Sequence, residues 1–478
     1  MDDAGADCAV YIKELARNPA YFVTEVLGGR PWAKQIEIAE AVRDHKHVAV
    51  RSCHGIGKDW IAARIVLWFT YVFSPVRTIT TGPTARQVTG ILWKEIATAH
   101  AHAREPLGGR VLTQELHLTD ECFAIGFTTT TSGDSGASRF QGWHAQNILV
   151  VIDEASGVIP EIYNEISGLL SSANAHLLEI GNPTNPRGEF AAAFKTPGVY
   201  KIKVDAFDTP NFTTFGITQQ DIEDNTWQAK INGPLPYPEL ITPEWVAERY
   251  RKWGKGNPLY QSRVLAEFPQ SSNNTLISLS QIEAAQQRDL EQEGTNVLGV
   301  DVARFGSNYT VIAHRQGPVV RVRKRFPKID TMETAGHVFR EIRTSNADST
   351  WIDVVGLGAG VFDRLRELRA HGIHEFNGGS KPIDGERFVN ARAEAYWNLR
   401  EAAEKGELDL DAQDEDLAAQ LSDIRWHPDS RGRVQIESKE DMLKRGVQSP
   451  DDADAVSMTY SGVSDSIELY KRAMENIR

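Results

Sequence analysis

Short apolar runs alternate with longer helix-patterned stretches up to about residue 200. Residues 47–51, 77–81, 148–152 and 176–180 read as strands, and 59–72, 84–103 and 160–170 as helices between them. Parallel neighbours need a crossover connection, so this alternation predicts a largely parallel sheet covered on both faces. The stretch 59–72 is apolar nearly all round, as a central, fully covered helix should be. Between 205 and 268 the texture becomes rich in Pro, Trp and Asn, as in Asn232-Gly233-Pro234-Leu235-Pro236-Tyr237-Pro238, and predicts only short helices. A polar, turn-prone stretch at 269–274 reads as an inter-domain linker.

A second pattern opens at 297–301. Strands at 309–315 and 319–326 follow, joined by a turn through Gly317, then a helix at 332–344, a strand at 350–353, and helices at 361–370, 391–405 and 414–422. A strand, a hairpin and then helix–strand–helix is the order of a mixed sheet of the ribonuclease H type. The expected division is 1–204 for the first α/β core, 205–275 for a linker subdomain and hinge, 276–461 for the mixed-sheet domain, and 462–478 for a charged terminal helix.

At 478 residues the chain exceeds what one core usually serves, which agrees with several domains. Its longest apolar stretch, 65–73, is far too short to span a bilayer, and Met1-Asp2-Asp3 does not open a signal peptide, so no membrane association is expected. Cys8, Cys53 and Cys122 form no CxxC pair, which argues against a disulfide framework or a zinc site and fits a reducing cytoplasm. A net charge of −13 excludes non-specific wrapping by nucleic acid but not a local basic face. Arg321-Val322-Arg323-Lys324-Arg325, with Lys328 beyond, is either such a face or an edge strand guarded by its charges.

Two strands end in acid, and a buried strand ending in carboxylate is one way to hold a divalent metal at a sheet edge. The first is Ile148-Leu149-Val150-Val151-Ile152-Asp153-Glu154. Upstream, Ser52-Cys53-His54-Gly55-Ile56-Gly57-Lys58-Asp59 lies between a strand and a helix and matches a phosphate loop at Gly57 and Lys58. Ser52 replaces the first Gly and Asp59 the hydroxyl residue. Backbone N–H groups at the start of the following helix favour an anion, and Lys58 would meet the outer phosphates. Asp153 would hold Mg²⁺ and Glu154 polarise the attacking water of ATP hydrolysis; the plain alternative is a helix N-terminus with acids in its first turn. Trp32 and Gln35 could read adenine or simply pack. Asn182, in Gly181-Asn182-Pro183-Thr184, could sense the outer phosphate, and Arg139 is either an arginine finger for a neighbouring subunit or a surface charge.

The second acid-tipped strand is Val297-Leu298-Gly299-Val300-Asp301. Asp353 ends Thr350-Trp351-Ile352-Asp353, and Asp454 lies in a late helix that Pro450 starts. On a ribonuclease H-like sheet the two strands lie side by side with the helix across their ends, so these acids converge as a two-ion site for phosphodiester cleavage. Oxygen ligands point to Mg²⁺ or Mn²⁺ rather than zinc. Asp451, one turn before Asp454, shares its face as a candidate fourth ligand; Asp452 points elsewhere and is expected to be solvated. The acids could otherwise be structural caps. Gly356-Leu357-Gly358-Ala359-Gly360 lacks a phosphate-loop Lys and reads as a tight turn near the acids.

The ordered set resembles the large terminase subunit of tailed bacteriophages. The stretches that carry it are 51–58, Thr81-Gly82-Pro83-Thr84-Ala85-Arg86-Gln87, 150–155, Gly181-Asn182-Pro183, Gly299-Val300-Asp301-Val302-Ala303-Arg304, Asp353 with 356–360, and 449–455. The resemblance implies an ASCE-type P-loop ATPase joined to a ribonuclease H-like nuclease. Such a protein works as a homo-oligomeric ring on the portal protein, with the small terminase subunit as partner and double-stranded DNA as substrate, in the host cytoplasm during virion assembly and not in the mature virion. It implies ATP and Mg²⁺, with Mn²⁺ also at the nuclease site. It makes Gln35 an adenine contact, Arg51 a phosphate-side residue, Asn182 the coupling residue and Arg139 the finger. The chain departs from the pattern at Asp59 and at Asn308, where relatives often carry Asp. A cellular helicase–nuclease would share both sites but add strand-separating motifs that the chain does not show.

Overall fold

A computed structural model describes residues 14–128 (Ala16 excepted), 145–269, 274–303, 309–327 and 329–462. The chain divides into two units: Met1–Arg251 with Tyr260–Gln270, and Lys252–Leu259 with Ser271–Arg478.

In the first unit the strands are β1 (His47–Ser52), β2 (Val76–Gly82), β3 (Arg110–Val111), β4 (Glu115–Thr119), β5 (Cys122–Thr128), β6 (Asn147–Asp153), β7 (Asn174–Gly181) and β8 (Tyr200–Val204). They form one sheet in the order β3-β4-β5-β2-β6-β7-β1-β8. From β5 to β8 every neighbouring pair is parallel, while β3 and β4 add an antiparallel edge. Every residue of β6 is buried, as a strand covered on both faces requires. The strand β7 lies between β1 and β6, the arrangement of a P-loop ATPase with an additional strand between the loop-bearing and acid-bearing strands.

Helix α1 (Ala33–Asp44) precedes β1, and α2 (Lys58–Val72) follows it, buried at every position from 61 to 70. The single helix expected at 84–103 is instead a wide, i+5-bonded run over Arg86–Trp93 that continues into α3 (Lys94–Ala101). Trp93, at the junction, is buried and donates from Nε1 to Thr80 Oγ1 at 2.9 Å. After β6 comes α4 (Pro160–Leu169). The expectation of only short helices beyond 205 is corrected by α5 (Pro243–Trp253), an eleven-residue helix.

The second unit carries β9 (Asn296–Asp301), β10 (Thr310–Gln316), β11 (Val319–Phe326), β12 (Ser349–Asp353) and β13 (Ile373–Phe376), in the order β11-β10-β9-β12-β13. The pairs β11–β10 and β10–β9 are antiparallel, and β9–β12 and β12–β13 parallel, which is the mixed sheet of the ribonuclease H fold. Helices α6 (Thr331–Ser345) and α7 (Gly358–Glu367) build a core with the sheet through Ala335, Val338, Ile342, Val361 and Leu365 against Leu298, Val300, Ile312 and Ile352. Of its other helices, α8 (Ala391–Lys405), α9 (Glu415–Asp423) and α10 (Asp451–Met458) bear on the site. Helix α10 lies directly on β9: a Cβ on Gly299 would come 2.1 Å from the Ala455 carbonyl oxygen, so only glycine admits the helix there.

The basic run is the edge strand β11, and three of its charges pair with the unit's own acids. Arg321 pairs with Asp409 at 2.7 Å, Lys324 with Glu341 at 2.5 Å, and Arg325 with Asp414 and Asp452 at 2.6 and 2.9 Å. Among the described residues no helix is long and apolar enough to cross a membrane.

Candidate active sites

The loop between β1 and α2 turns through Gly55 and Gly57, whose φ values of 67° and 75° lie in the left-handed region where side chains are disfavoured. A Cβ on Gly57 would meet Gln35 Nε2 at 2.7 Å. That amide nitrogen donates to the carbonyls of Ile56 and Gly57 at 3.1 and 3.2 Å, and Trp32 Nε1 donates to Ile56 O at 3.2 Å. Trp32 and Gln35 therefore buttress the loop. Further support, invisible in the sequence pattern, comes from the Pro-rich segment: Ile241 N donates to Gly55 O at 2.9 Å, and the His54 ring stacks on Trp245. Burial, with Lys58 and Arg263 nearby, pushes the His54 imidazole down to about 3, so it is neutral.

Lys58, the first residue of α2, is buried and reaches Glu154 Oε1 at 2.9 Å, with Asp59 Oδ2 at 4.0 Å. Burial opposes its charge, but Asp59, Glu154 and Asp153 outweigh that and hold the ammonium well above its usual range. Asp153 ends β6 and is 1% exposed. Its Oδ1 accepts from the Glu154 amide at 2.9 Å, and its Oδ2 meets no donor. Burial first, then Asp59 and Glu154, push the Asp153 carboxyl well up. Glu154 itself adopts a left-handed backbone, φ 48° and ψ 47°, an uncommon conformation for a side-chain-bearing residue that recurs at functional sites.

Asn182, just past β7, donates from Nδ2 to Ser52 O at 2.7 Å and accepts at its own carbonyl from Ser156 Oγ at 2.7 Å. It thus joins the phosphate-loop side to the segment after the acids. The Ser52 hydroxyl is fully buried without a partner. Arg51 is engaged by Glu267 at 2.5 Å and lies over the rings of Phe194 and Phe268. Arg139 lies outside the described residues, as do Arg304 and Asn308.

In the second unit Asp301 and Asp353 end the adjacent parallel strands β9 and β12, and Asp454 projects from α10. All three line one cleft of about 440 Å³ together with Arg392 and Lys439. The backbone of Gly358 lies against the Asp353 carbonyl, the tight approach expected of the glycine-rich turn. Burial drives the Asp301 carboxyl well above the usual range; Lys439 counteracts it, and Asp454, Asp451 and Asp353 add to it. Asp454 accepts from Tyr396 OH at 2.7 Å and from Arg392 Nε at 3.3 Å, and its Oδ2 forms an ion pair with Lys439 Nζ at 2.7 Å. Burial opposes its ionisation, but Lys439 and Arg392 hold it down to about 2.

Lys439, Arg392 and Tyr396 were not singled out in the sequence, because no spacing rule links them to Asp454 before the chain folds. The Asp451 carboxylate accepts from the Tyr309 amide at 2.9 Å and lines the neighbouring cleft rather than the one shared by the three acids. Asp452, expected in solvent, is 3% exposed and bound by Arg325 and Gln420. The helix-face argument fails for it because α10 is buried at all eight positions.

No three His, Cys, Asp or Glu side chains close into a metal cage among the described residues. Both clusters nevertheless suit a hard divalent cation. Their donors are carboxylate oxygens, and in the first the buried Asp153 Oδ2 is left without a donor.

No protein-family model matches the chain. It is 26% identical over 459 residues to the "Probable terminase, large subunit" of Enterobacteria phage P7, an alignment covering 89% of this chain and 87% of that protein. Among solved structures it is similar to the large terminase of a thermophilic bacteriophage, at 14% identity and a TM-score of 0.40 over 90% of this chain and 98% of that one. It is also similar to the nuclease domain of the large terminase subunit of bacterial virus Sf6, at 23% identity and a TM-score of 0.37 over 40% of this chain and all of that one.

Proposed function

We infer that the chain is a large terminase subunit of a tailed bacteriophage, a DNA-packaging motor whose first unit hydrolyses ATP and whose second cuts DNA. The observation that carries this reading is that one polypeptide brings Lys58 against Glu154 on a phosphate-loop sheet and, on a second sheet, Asp301, Asp353 and Asp454 into one cleft.

In the first site the loop amides at the start of α2 bind the phosphates, and Lys58 exchanges Glu154 for the outer phosphate oxygens. Glu154, released from that ion pair, accepts the proton of the attacking water. Asn182 ties this exchange to the chain after β6 through Ser52 and Ser156. Asp153 and Asp59 would hold the nucleotide's Mg²⁺. In the second site Asp301, Asp353 and Asp454 would hold Mg²⁺ or Mn²⁺, while Tyr396 and Arg392 orient Asp454 and Lys439 supplies positive charge to the cleft. Divalent ions, when bound, neutralise phosphate charge and activate water.

The reading further assigns double-stranded DNA as substrate, the portal protein and small terminase subunit as partners, a ring in which Arg139 reaches a neighbour's nucleotide, and the host cytoplasm during virion assembly as the place of action. The test uses the full chain in a packaging reaction with procapsids, scored as DNase-protected DNA, alongside Mn²⁺-dependent plasmid nicking. Asp353→Ala should abolish nicking and spare ATP turnover. Nicking that survives this substitution, or packaging that proceeds without this chain, would discard the assignment.

A further inference from the structure

The residue after the phosphate-loop lysine is the chain's own departure: a carboxylate where the motif carries a hydroxyl. Asp59 adds a third carboxylate to the two, Asp153 and Glu154, that act on Lys58. It is partly exposed at the mouth of the site, whereas Asp153 is buried at its floor. Lys58 sits 2.9 Å from Glu154 and 4.0 Å from Asp59, so its one direct contact is with the glutamate and Asp59 acts on it at longer range. What remains is the buried Asp153 Oδ2, which meets no donor, with the Asp59 carboxyl acting on the same group. Two neighbouring carboxylates in a low-dielectric site repel unless a cation or a proton is shared by them. A hydroxyl at position 59 creates no such demand, because it offers one neutral lone-pair donor to a metal that arrives with the phosphates.

We propose that Asp59 and Asp153 together hold a divalent cation of the Mg²⁺ or Mn²⁺ class in the nucleotide-free protein, so that the metal loads ahead of the nucleotide. The inference rests on reading the loop as a nucleotide site. It has a second consequence. Without metal, the extra negative charge at the mouth repels a polyphosphate, so metal-free nucleotide binds poorly.

The experiment measures Mn²⁺ binding to the full chain by electron paramagnetic resonance, without nucleotide, for the native protein, Asp59→Thr and Asp59→Glu. Wild type and Asp59→Glu should each bind one more Mn²⁺ than Asp59→Thr. The threonine variant should recover that ion when a fluorescent ATP analogue is added. Metal-free fluorescent ADP should bind Asp59→Thr roughly tenfold or more tightly than wild type, as expected for removing one charge at such range. Equal Mn²⁺ stoichiometry in wild type and Asp59→Thr without nucleotide overturns the proposal, provided both bind the Mn²⁺–ATP analogue complex. If neither protein binds that complex, the nucleotide-site reading itself has failed, a distinct result. Circular dichroism on each variant shows whether a lost ion reflects a lost fold.

Discussion

The side-chain amide of Asn182 donates a 2.7 Å hydrogen bond to the backbone carbonyl of Ser52, the residue at which β1 enters the phosphate loop. Because β7 lies between β1 and β6, the residue that follows β7 is placed to touch both the loop and the segment after the acids. Replacing Asn182 by Ala leaves the buried Ser52 carbonyl without this donor, a cost of about 1–2 kcal/mol. The expected result is a melting temperature lower by a few degrees, nucleotide affinity within about threefold of wild type, and ATP turnover reduced by roughly tenfold. Stopped-flow nucleotide binding beside steady-state hydrolysis checks it. A parallel loss of affinity and turnover would reduce Asn182 to a structural brace.

Glu154 adopts its left-handed backbone where the chain runs so close to β7 that a Cβ on Gly181 would lie 2.9 Å from Ala155 N. Glu154→Gln keeps the shape and a hydrogen-bond acceptor for Lys58 but removes the base. ATP turnover should fall by at least about a hundredfold, with the nucleotide still bound, as general-base removal predicts. Equilibrium binding of a fluorescent ATP analogue and single-turnover hydrolysis separate the two effects. Turnover near wild type would show that another group accepts the proton.

Much of this was legible in the sequence, for a physical reason. Buried parallel strands must be apolar throughout, so Ile148–Ile152 and Val297–Val300 stand out, and the acids that end them mark sheet edges where backbone pairing stops. The antiparallel strands β3 and β4 were not legible, since the polar Glu115, His117 and Thr119 alternate along β4 and no apolar run survives. Lys439 and Tyr396 were invisible because their relation to Asp454 exists only after three separate elements pack together. Asp452 misled because a helix wheel predicts solvent on the far face, whereas Arg325 from the edge strand and Gln420 from α9 cover that face of α10.

Gly299 tests how closely the fold constrains the second site. Any side chain there meets the Ala455 carbonyl, so Gly299→Ala must push α10 off β9 and carry Asp454 away from Asp301. Overpacking of this kind costs about 1–3 kcal/mol. The second unit should melt earlier and nicking should fall sharply, while nucleotide binding by the first unit stays intact. Differential scanning calorimetry with a nicking assay reads both. Unchanged nicking would mean that the Asp454 position tolerates more movement than the contact implies.

The protonation of Asp301 gives a prediction whose sign is fixed by its environment. Burial raises its carboxyl above the value it has in an unfolded chain. The folded state therefore holds a proton that the unfolded state has already lost, and stability falls as pH rises from the usual carboxylate range through the raised value. Asp454 behaves oppositely: with its carboxyl held to about 2, its contribution is lost as pH falls from the usual carboxylate range to about 2, a separate window. A divalent ion must displace the Asp301 proton, so Mn²⁺ affinity should increase with pH and binding should release about one proton. Titration calorimetry in two buffers of different ionisation heat measures that proton, and Asp301→Asn should abolish its release and flatten the part of the unit's pH slope of melting that lies in the Asp301 window. Mn²⁺ binding that is flat across the same window in the native chain would place the Asp301 carboxyl outside the ion's coordination.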